Sequence, residues 1–384
     1  ADAAFELDEL DAWLRRRLAG RRSVGYTLGG RLDPVVLRAM SAVRSYASRS
    51  GVDTPVEVID VGALIAELRV IKSAAEIEAL REACRISALA HDEAMRFAAP
   101  GRTERQVQAV LEYVFGVMDA ERVGYGSIVA GGDSACILHY VENDQPLVDG
   151  ELLLIDAGAE YRHLTADITR TFPVNGRFSG PQRAIYELVL RAQQAVIADV
   201  RPGLAWTAMH ERAVEVLAEG MVELGLLPGS VDEVMAKGWY RQFFFHGTGH
   251  WLGIDVHDAG RSRFGREGRP LEPGMAVTVE PGVYVARDKA TVTLSHAVYD
   301  PDERLRLPFE LGAEGARAEL ERREAKAGSV EHAVPSEFLG IGVRIEDYLL
   351  ITPAGHENLS ALSPVEPDEV EAICQQPSRL PLFV

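Results

Sequence analysis

The chain has 384 residues, 47% of them hydrophobic and 26% charged, with 58 acidic against 40 basic side chains and a formal charge of −18. This length predicts two domains and this composition a water-soluble globular protein; the acidic balance excludes nucleic acid as a partner and disfavours anionic lipid, since phosphate contacts need a basic surface. No apolar run approaches the ~18–20 residues of a spanning helix, the acidic start Ala1-Asp2-Ala3-Ala4-Phe5-Glu6 lacks a signal peptide's basic and apolar regions, and Cys84, Cys136 and Cys374 form neither a disulfide framework nor a CxxC spacing.

The expected location is therefore the reducing cytoplasm, with no membrane contact. The missing initiator Met points to a processed or trimmed start.

Residues 1–72 alternate short helical and strand-like pieces. Leu7-Asp8-Glu9-Leu10-Asp11-Ala12-Trp13-Leu14 has helical spacing, and Ser23-Val24-Gly25-Tyr26-Thr27-Leu28 and Val56-Glu57-Val58-Ile59-Asp60 read as strands. The stretch is too short for a full α/β domain and is read as a reduced accessory domain.

The texture changes at Ser73, which opens a second domain over residues 73–384. Ile77, Leu80, Cys84, Ala88 and His91 follow a helical period that closes at Pro100-Gly101. Thr103-Glu104-Arg105-Gln106 has the form of a capping box before a helix carrying Val107, Val110, Leu111 and Val114. Pro181 sits where a first-turn proline belongs, ahead of Ile185, Leu188, Val189, Ala192 and Val196. A further helix is expected over 207–224, ending near Gly225.

Between these helices, Leu152-Leu153-Leu154-Ile155-Asp156 is an apolar strand ending on a carboxylate, and Asp167-Ile168-Thr169-Arg170-Thr171-Phe172 is its expected partner. Setting Asp156 opposite Asp167 also pairs Gly158 with Thr165 and Glu160 with His163, leaving a two-residue turn at Tyr161-Arg162. The second half repeats the device: Ala276-Val277-Thr278-Val279-Glu280 ends on a carboxylate, and Val343-Arg344-Ile345-Glu346 supplies another, with Arg344 and Glu346 on one face. Residues 287–338 interrupt this second hairpin, with a helix expected around 314–324, and read as solvated surface or an oligomer contact.

Asp156, Asp167, His250, Glu280 and Glu346 together look like the ligands of one dinuclear metal site, since four carboxylates and an imidazole converging without cations would be a costly concentration of charge. Two ions ~3.5–4 Å apart make hydroxide available at neutral pH. A mostly oxygen set with a single histidine favours Mn²⁺, with Co²⁺ or Zn²⁺ able to replace it. In His246-Gly247-Thr248-Gly249-His250 the i, i+4 histidines could share a helical face, but two glycines argue for a turn or strand end with close backbone packing. His91, His163, His210, His296, His332 and His356 read as surface or hydrogen-bonded core residues.

Seven ordered segments resemble the pita-bread metallopeptidases, family M24, and specifically the Xaa-Pro aminopeptidases (aminopeptidase P). They are Ile137-Leu138-His139-Tyr140, the stretches beginning at Leu154 and Asp167, His246-Gly247-Thr248-Gly249-His250-Trp251-Leu252-Gly253, Val256-His257-Asp258, Glu280-Pro281-Gly282-Val283-Tyr284 and Gly342-Val343-Arg344-Ile345-Glu346-Asp347. The resemblance implies an α+β pita-bread catalytic domain behind a short creatinase-like N-terminal domain, and a homodimer. It implies two divalent ions, one on Asp156 and Asp167 and one on His250 and Glu280, with Asp167 and Glu346 bridging. It also implies that a bridging hydroxide attacks the Xaa-Pro bond of peptides with proline in second position. His139 would assist the leaving nitrogen, His246 would line the pocket after the cleaved bond, and His257 would hold the scissile carbonyl. Tyr284 and Arg344 would orient Glu346 and the attacking water. The alternatives are a prolidase restricted to Xaa-Pro dipeptides and a metal-free binding module; intact ligands argue against the latter.

Overall fold

The structure, a computed structural model, describes residues 6–298 and 300–380, which fall into two compact units divided between Arg69 and Val70. In the first unit the strands Ser23–Tyr26 and Glu57–Asp60 pair in parallel, joined by the helix Asp33–Ser50, which the sequence reading did not name. Asp33 and Pro34 start that helix, and Gly51 stops it in the left-handed conformation (φ 68°). Leu18, Val36, Ala39, Met40 and Val43 make a small core, while Val58 and Ile59 on the second strand stay exposed.

The second unit is built of two helix–strand halves. The first opens with the helix Ala74–Phe97, whose cap Ser73 exchanges hydrogen bonds with Glu76, and continues with Glu104–Val117, whose Thr103–Gln106 capping box is formed as the sequence predicts. These helices bury Ile86, Ala90, Val107, Leu111 and Val114 against an antiparallel sheet in which Leu152–Asp156 lies between Ile128–Gly131 and Thr169–Pro173. The second half places Gly180–Asp199 and Trp206–Glu223 over the strand pairs Ala276–Val279 with Asp347–Thr352 and Gly282–Val285 with Ile341–Arg344. Ile185, Leu188, Val189, Leu217, Val283 and Val343 share its core. Among the described residues a single bridge, Thr169 with Glu346, joins the strands of the two halves.

The first hairpin departs from the predicted register by two residues. Asp156 pairs with Thr169, not Asp167, and Glu160 with Thr165, not His163; the turn residues are Arg162 and His163, at φ 50° and 65°. Left-handed conformation at both turn positions fits the twist of the flanking strands. It also keeps the Tyr161 ring in the strand, packed against two core clusters. A slip of two preserves which face each side chain occupies, so Asp156 and Asp167 still meet.

The excursion is more ordered than expected. Thr291–Ser295 pairs with Ser329–Ala333 as an outward hairpin, and Pro301–Ala327 is helical, broken at Gly312 (φ 73°, ψ 168°). Exposed Arg–Glu pairs such as Arg317–Glu321 and Arg306–Glu310 line that helix.

His91 is a core histidine: fully buried, with Nε2 donating to the Ala157 carbonyl at 3.1 Å. Burial holds it down to about 4 from its ordinary 6.5. Its folded pKa is depressed, so its contribution is complete above pH 6.5 and is lost as the pH falls toward 4. The difference is worth at most about 3 kcal/mol. His91→Gln is expected to flatten the dependence of the urea midpoint across that window; unchanged slopes would show that His91 does not set it.

Candidate metal centre

The strands deliver the five candidate ligands to one place. Val279 pairs with Asp347 and Gly282 with Arg344, which sets Glu280 opposite Glu346. Thr169 pairs with both Asp156 and Glu346, so the acidic strand ends of the two halves adjoin. His250 comes from the loop between Gln242 and the short strand Arg263–Phe264. Its amide donates to Thr278 Oγ1 at 3.0 Å and its carbonyl accepts from the Thr278 amide at 3.1 Å. Gly249 permits this approach, because a Cβ there would lie 2.2 Å from the Thr278 carbonyl oxygen. The segment is therefore a strand-end packing site and not a helical face.

The potential ligand atoms of Asp167, His250 and Glu346 lie within 4.8 Å of one another. His250 Nε2 is 3.4 Å from Asp167 Oδ2, 3.5 Å from Glu280 Oε1 and 4.0 Å from Glu346 Oε1. Ligands about 2.1 Å from a shared ion would sit roughly 3.0–3.4 Å apart, close to the shortest of these separations. His250 Nδ1 donates to the Trp251 carbonyl at 3.0 Å, so Nε2 faces the carboxylates and is the nitrogen that would bind a metal on losing its proton. Asp156 stands slightly apart, tied to the cluster through Tyr125 and Arg344.

Two observations show that a divalent cation fits. Glu346 Oε1 is buried with no hydrogen-bond partner, although it faces the cluster. The charge is also unbalanced. Burial, then the charges of Asp167, Glu280 and Asp156, push the Glu346 carboxyl well above its usual range. Burial raises Glu280 to about 7 against the pull of His250 and Arg344. Burial and the Asp167 charge raise Asp156. Burial opposes the charged form of both members of the Asp167–His250 pair, but their mutual hydrogen bond and attraction outweigh it, lowering Asp167 and raising His250 to about 9. A cation relieves this repulsion directly.

Arg344 orients the set differently from the expectation. Its Nη2 donates to Asp156 at 2.6 Å, Nη1 to the Tyr284 hydroxyl at 3.0 Å and Nε to Thr169 Oγ1 at 3.2 Å. Glu346 is reached only through Thr169, whose hydroxyl donates to Oε2 at 2.7 Å. The carboxylate that Arg344 holds is thus Asp156. Arg344→Ala is expected to lower turnover by about 10–100-fold with a smaller loss of bound metal; equal losses would assign it a structural role.

The remaining expected residues line one cleft of about 540 Å³ together with the cluster: His139, His246 and His257 are all on its wall. The His257 ring packs edge-on to His250, with centroids 4.4 Å apart. His246 Nδ1 donates to the Gly247 carbonyl at 2.7 Å, so its Nε2 accepts from the Tyr284 hydroxyl at 2.8 Å. Burial and the Arg344 charge hold His246 down to about 3, the neutral form. No described residue of 287–338 lines this cleft.

The sequence reading missed Tyr125. Its hydroxyl lies 2.6 Å from Asp156 Oδ1 and 2.5 Å from Asp167 Oδ1, coupling the two carboxylates of the first hairpin. The flanking glycines in Gly124-Tyr125-Gly126 were its only signal: a Cβ on Gly124 would lie 2.2 Å from Thr165 Cγ2.

Comparison with known proteins places the chain in a family. Residues 78–353 match the model of metallopeptidase family M24. The chain is 37% identical over 375 residues to the Xaa-Pro aminopeptidase of Escherichia coli K12, covering 97% of this chain and 75% of that relative. It is 41% identical over 315 residues to the Xaa-Pro aminopeptidase of Haemophilus influenzae, covering 82% of this chain; the match spans 63% of that relative's length. Among solved structures, Pseudomonas aeruginosa aminopeptidase PepP matches with a TM-score of 0.83 at 41% identity over 97% of this chain and 75% of that one. A Zn-substituted E. coli aminopeptidase P in complex with product matches with a TM-score of 0.83 at 37% identity and the same coverage. With residues 78–353 matching the family model and a 37% identical relative covered over 75% of its length, the chain is a member of metallopeptidase family M24.

Proposed function

We propose that this chain is an Xaa-Pro aminopeptidase, a hydrolase that removes the first residue from peptides with proline in second position. The observation that carries the reading is the buried Asp167–His250–Glu346 cluster, with its orphaned Glu346 oxygen, inside a cleft walled by His139, His246 and His257. Asp156 and Asp167 would hold one divalent ion and His250 and Glu280 the other, with Asp167 and Glu346 spanning both. Mn²⁺ is the favoured metal, because an oxygen-rich set with one imidazole suits it. When bound, the ion pair supplies Lewis acidity and a water acidified toward neutral pH.

The protein's own groups do the rest. The acidic cluster attracts the substrate's free ammonium group, which makes the enzyme an exopeptidase. His257 donates to the scissile carbonyl oxygen as negative charge develops there. His139 carries the proton to the departing proline nitrogen. Neutral His246, fixed by Gly247 and Tyr284, forms the wall beside that proline. Arg344, held among Asp156, Thr169 and Tyr284, favours the charged form of Asp156 and orients it.

Residues 73–384 would be the catalytic domain and 1–72 a reduced creatinase-like domain. A cytoplasmic homodimer is the assembly we favour; among the described residues no helix is long and apolar enough to cross a membrane. The test is hydrolysis of Ala-Pro, Ala-Pro-Ala and a longer Xaa-Pro peptide, before chelation, after it and after Mn²⁺ is restored. Metal-dependent cleavage of the longer peptides is expected. Cleavage confined to the dipeptide would make the protein a prolidase, and activity indifferent to chelator would sink the metallopeptidase reading.

A further inference from the structure

A second group of ligand-type side chains lies at the tip of the first hairpin. Glu121, Glu160 and His163 each offer one atom, and these atoms all lie within 4.8 Å of one another. His163 Nδ1 stands 3.2 Å from Glu121 Oε2 and 3.8 Å from Glu160 Oε1. None of the three residues lines the cleft of the metal centre.

Three stretches of backbone bring them together. Glu121 follows the helix Glu104–Val117, and its amide donates to the Glu160 carbonyl at 2.9 Å, beside the Arg122–Glu160 strand pairing. Glu160 lies on the short strand Ala159–Tyr161, opposite Thr165. His163 is the second turn residue, at φ 65°, and its amide donates to Glu121 Oε2 at 3.2 Å. The left-handed turn thus sets the imidazole beside both glutamates.

Glu160 shows what this group lacks. Its side chain is 4% exposed, and Arg122 Nε donates to Oε2 at 2.9 Å. The other oxygen, Oε1, is buried without a hydrogen-bond partner and faces His163 Nδ1. Glu346 Oε1 carries the same mark in the metal centre. A buried carboxylate oxygen without a donor is costly, and a cation satisfies it.

We infer that Glu121, Glu160 and His163 bind a divalent cation, Zn²⁺ ahead of Mn²⁺, which ties the hairpin tip to the segment after the helix Glu104–Val117. Tetrahedral ligands about 2.0–2.1 Å from a shared zinc lie roughly 3.3–3.4 Å apart, between the two separations from His163 Nδ1. A mixed imidazole and carboxylate set takes Zn²⁺ before Mn²⁺ in the usual order of divalent affinities, and solvent fills the remaining position. Arg122, holding Oε2, is the outer partner that orients Glu160. The hairpin pinned in this way is the one flanked by Asp156 and Asp167. The site is nevertheless separate from the metal centre, and the inference stands whether or not the protein is an aminopeptidase.

The experiment dialyses the full chain against Zn²⁺ and compares the parent with His163→Asn and Glu121→Gln. Asparagine tolerates a left-handed turn, so the first variant removes the imidazole without straining the backbone. Elemental analysis counts zinc per chain, and anomalous diffraction at the zinc edge locates each ion. The parent is expected to hold one ion at the hairpin tip beyond those at the metal centre. Each variant should lose that ion alone and keep the ions of the metal centre. Hydrogen exchange gives a second readout: Zn²⁺ should slow the amides of 159–165 by about tenfold more in the parent than in the variants. An equal zinc count in parent and variants, or an extra ion located away from these three residues, would overturn the inference. Should His163→Asn fail to fold, Glu121→Gln, on an exposed side chain, still decides the matter.

Discussion

Glu346→Ala is expected to abolish turnover, a loss of about three orders of magnitude or more, and to reduce bound metal from two ions to one or none. Glu346 is 2% exposed, faces Glu280 in register, and carries the one buried carboxylate oxygen of the cluster without a partner. The same geometry predicts an asymmetry in stability. In the metal-free protein, Glu346 is a buried acid whose neighbours Asp167, Glu280 and Asp156 all disfavour its charge, so its removal relieves repulsion. The metal-free melting temperature should therefore hold, while the upward shift on adding Mn²⁺ shrinks. In the parent that shift follows mass action, about 2.7 kcal/mol at a metal concentration one hundred times Kd. Metal analysis with paired melts checks both halves. Retained activity at normal metal content would refute the bridging assignment.

Arg170→Met should be the most damaging substitution outside the metal ligands. Arg170 has no exposed surface, and its guanidinium donates to the carbonyls of Thr169, Glu346 and Ser363 at 2.9, 2.6 and 2.8 Å and to Asp347 Oδ1 at 2.7 Å. It thus clips the strand of the first half to that of the second, on either side of the Thr169–Glu346 bridge. Methionine fills much of the volume but leaves Asp347 with only Asn358 and Ser360 as side-chain donors and takes the guanidinium from the Glu346 and Ser363 carbonyls. Removing one partner of a buried ion pair costs about 3–5 kcal/mol. Arg170→Lys restores the charge without the planar fork and should recover only part of that. Chemical denaturation of the three proteins settles the point: a cost below about 1 kcal/mol for Met would mean that water or relaxation replaces the clip.

The helices and their limits follow from local chemistry. Apolar residues recur at helical spacing along Ala74–Phe97 and Gly180–Asp199, and Thr103 with Gln106 closes the N-terminus of Glu104–Val117. The candidate ligands stand out for a similar reason: apolar strands that end on Asp156 and Glu280, a glycine-flanked His250, and segments in the order of a known family. Arg344 and Glu346 were correctly placed on one face, since alternation along a strand fixes facing, and Val343 and Ile345 are in the core.

Pairing across strands is another matter. The slip of the first hairpin by two residues leaves every side chain on its expected face, so no periodic pattern could expose it; the choice was made by the turn and by the packing of Tyr161. That Arg344 grips Asp156 and not its near neighbour Glu346, that Tyr125 couples two carboxylates, and that Glu121 meets His163 all join residues from separate elements. The sequence by itself determined the candidate ligands and which way each faces, because strand-end position and alternation are written in local spacing. Which of them touch was decided only by the tertiary structure, because contact depends on the long-range register of strands and on packing that local spacing does not encode.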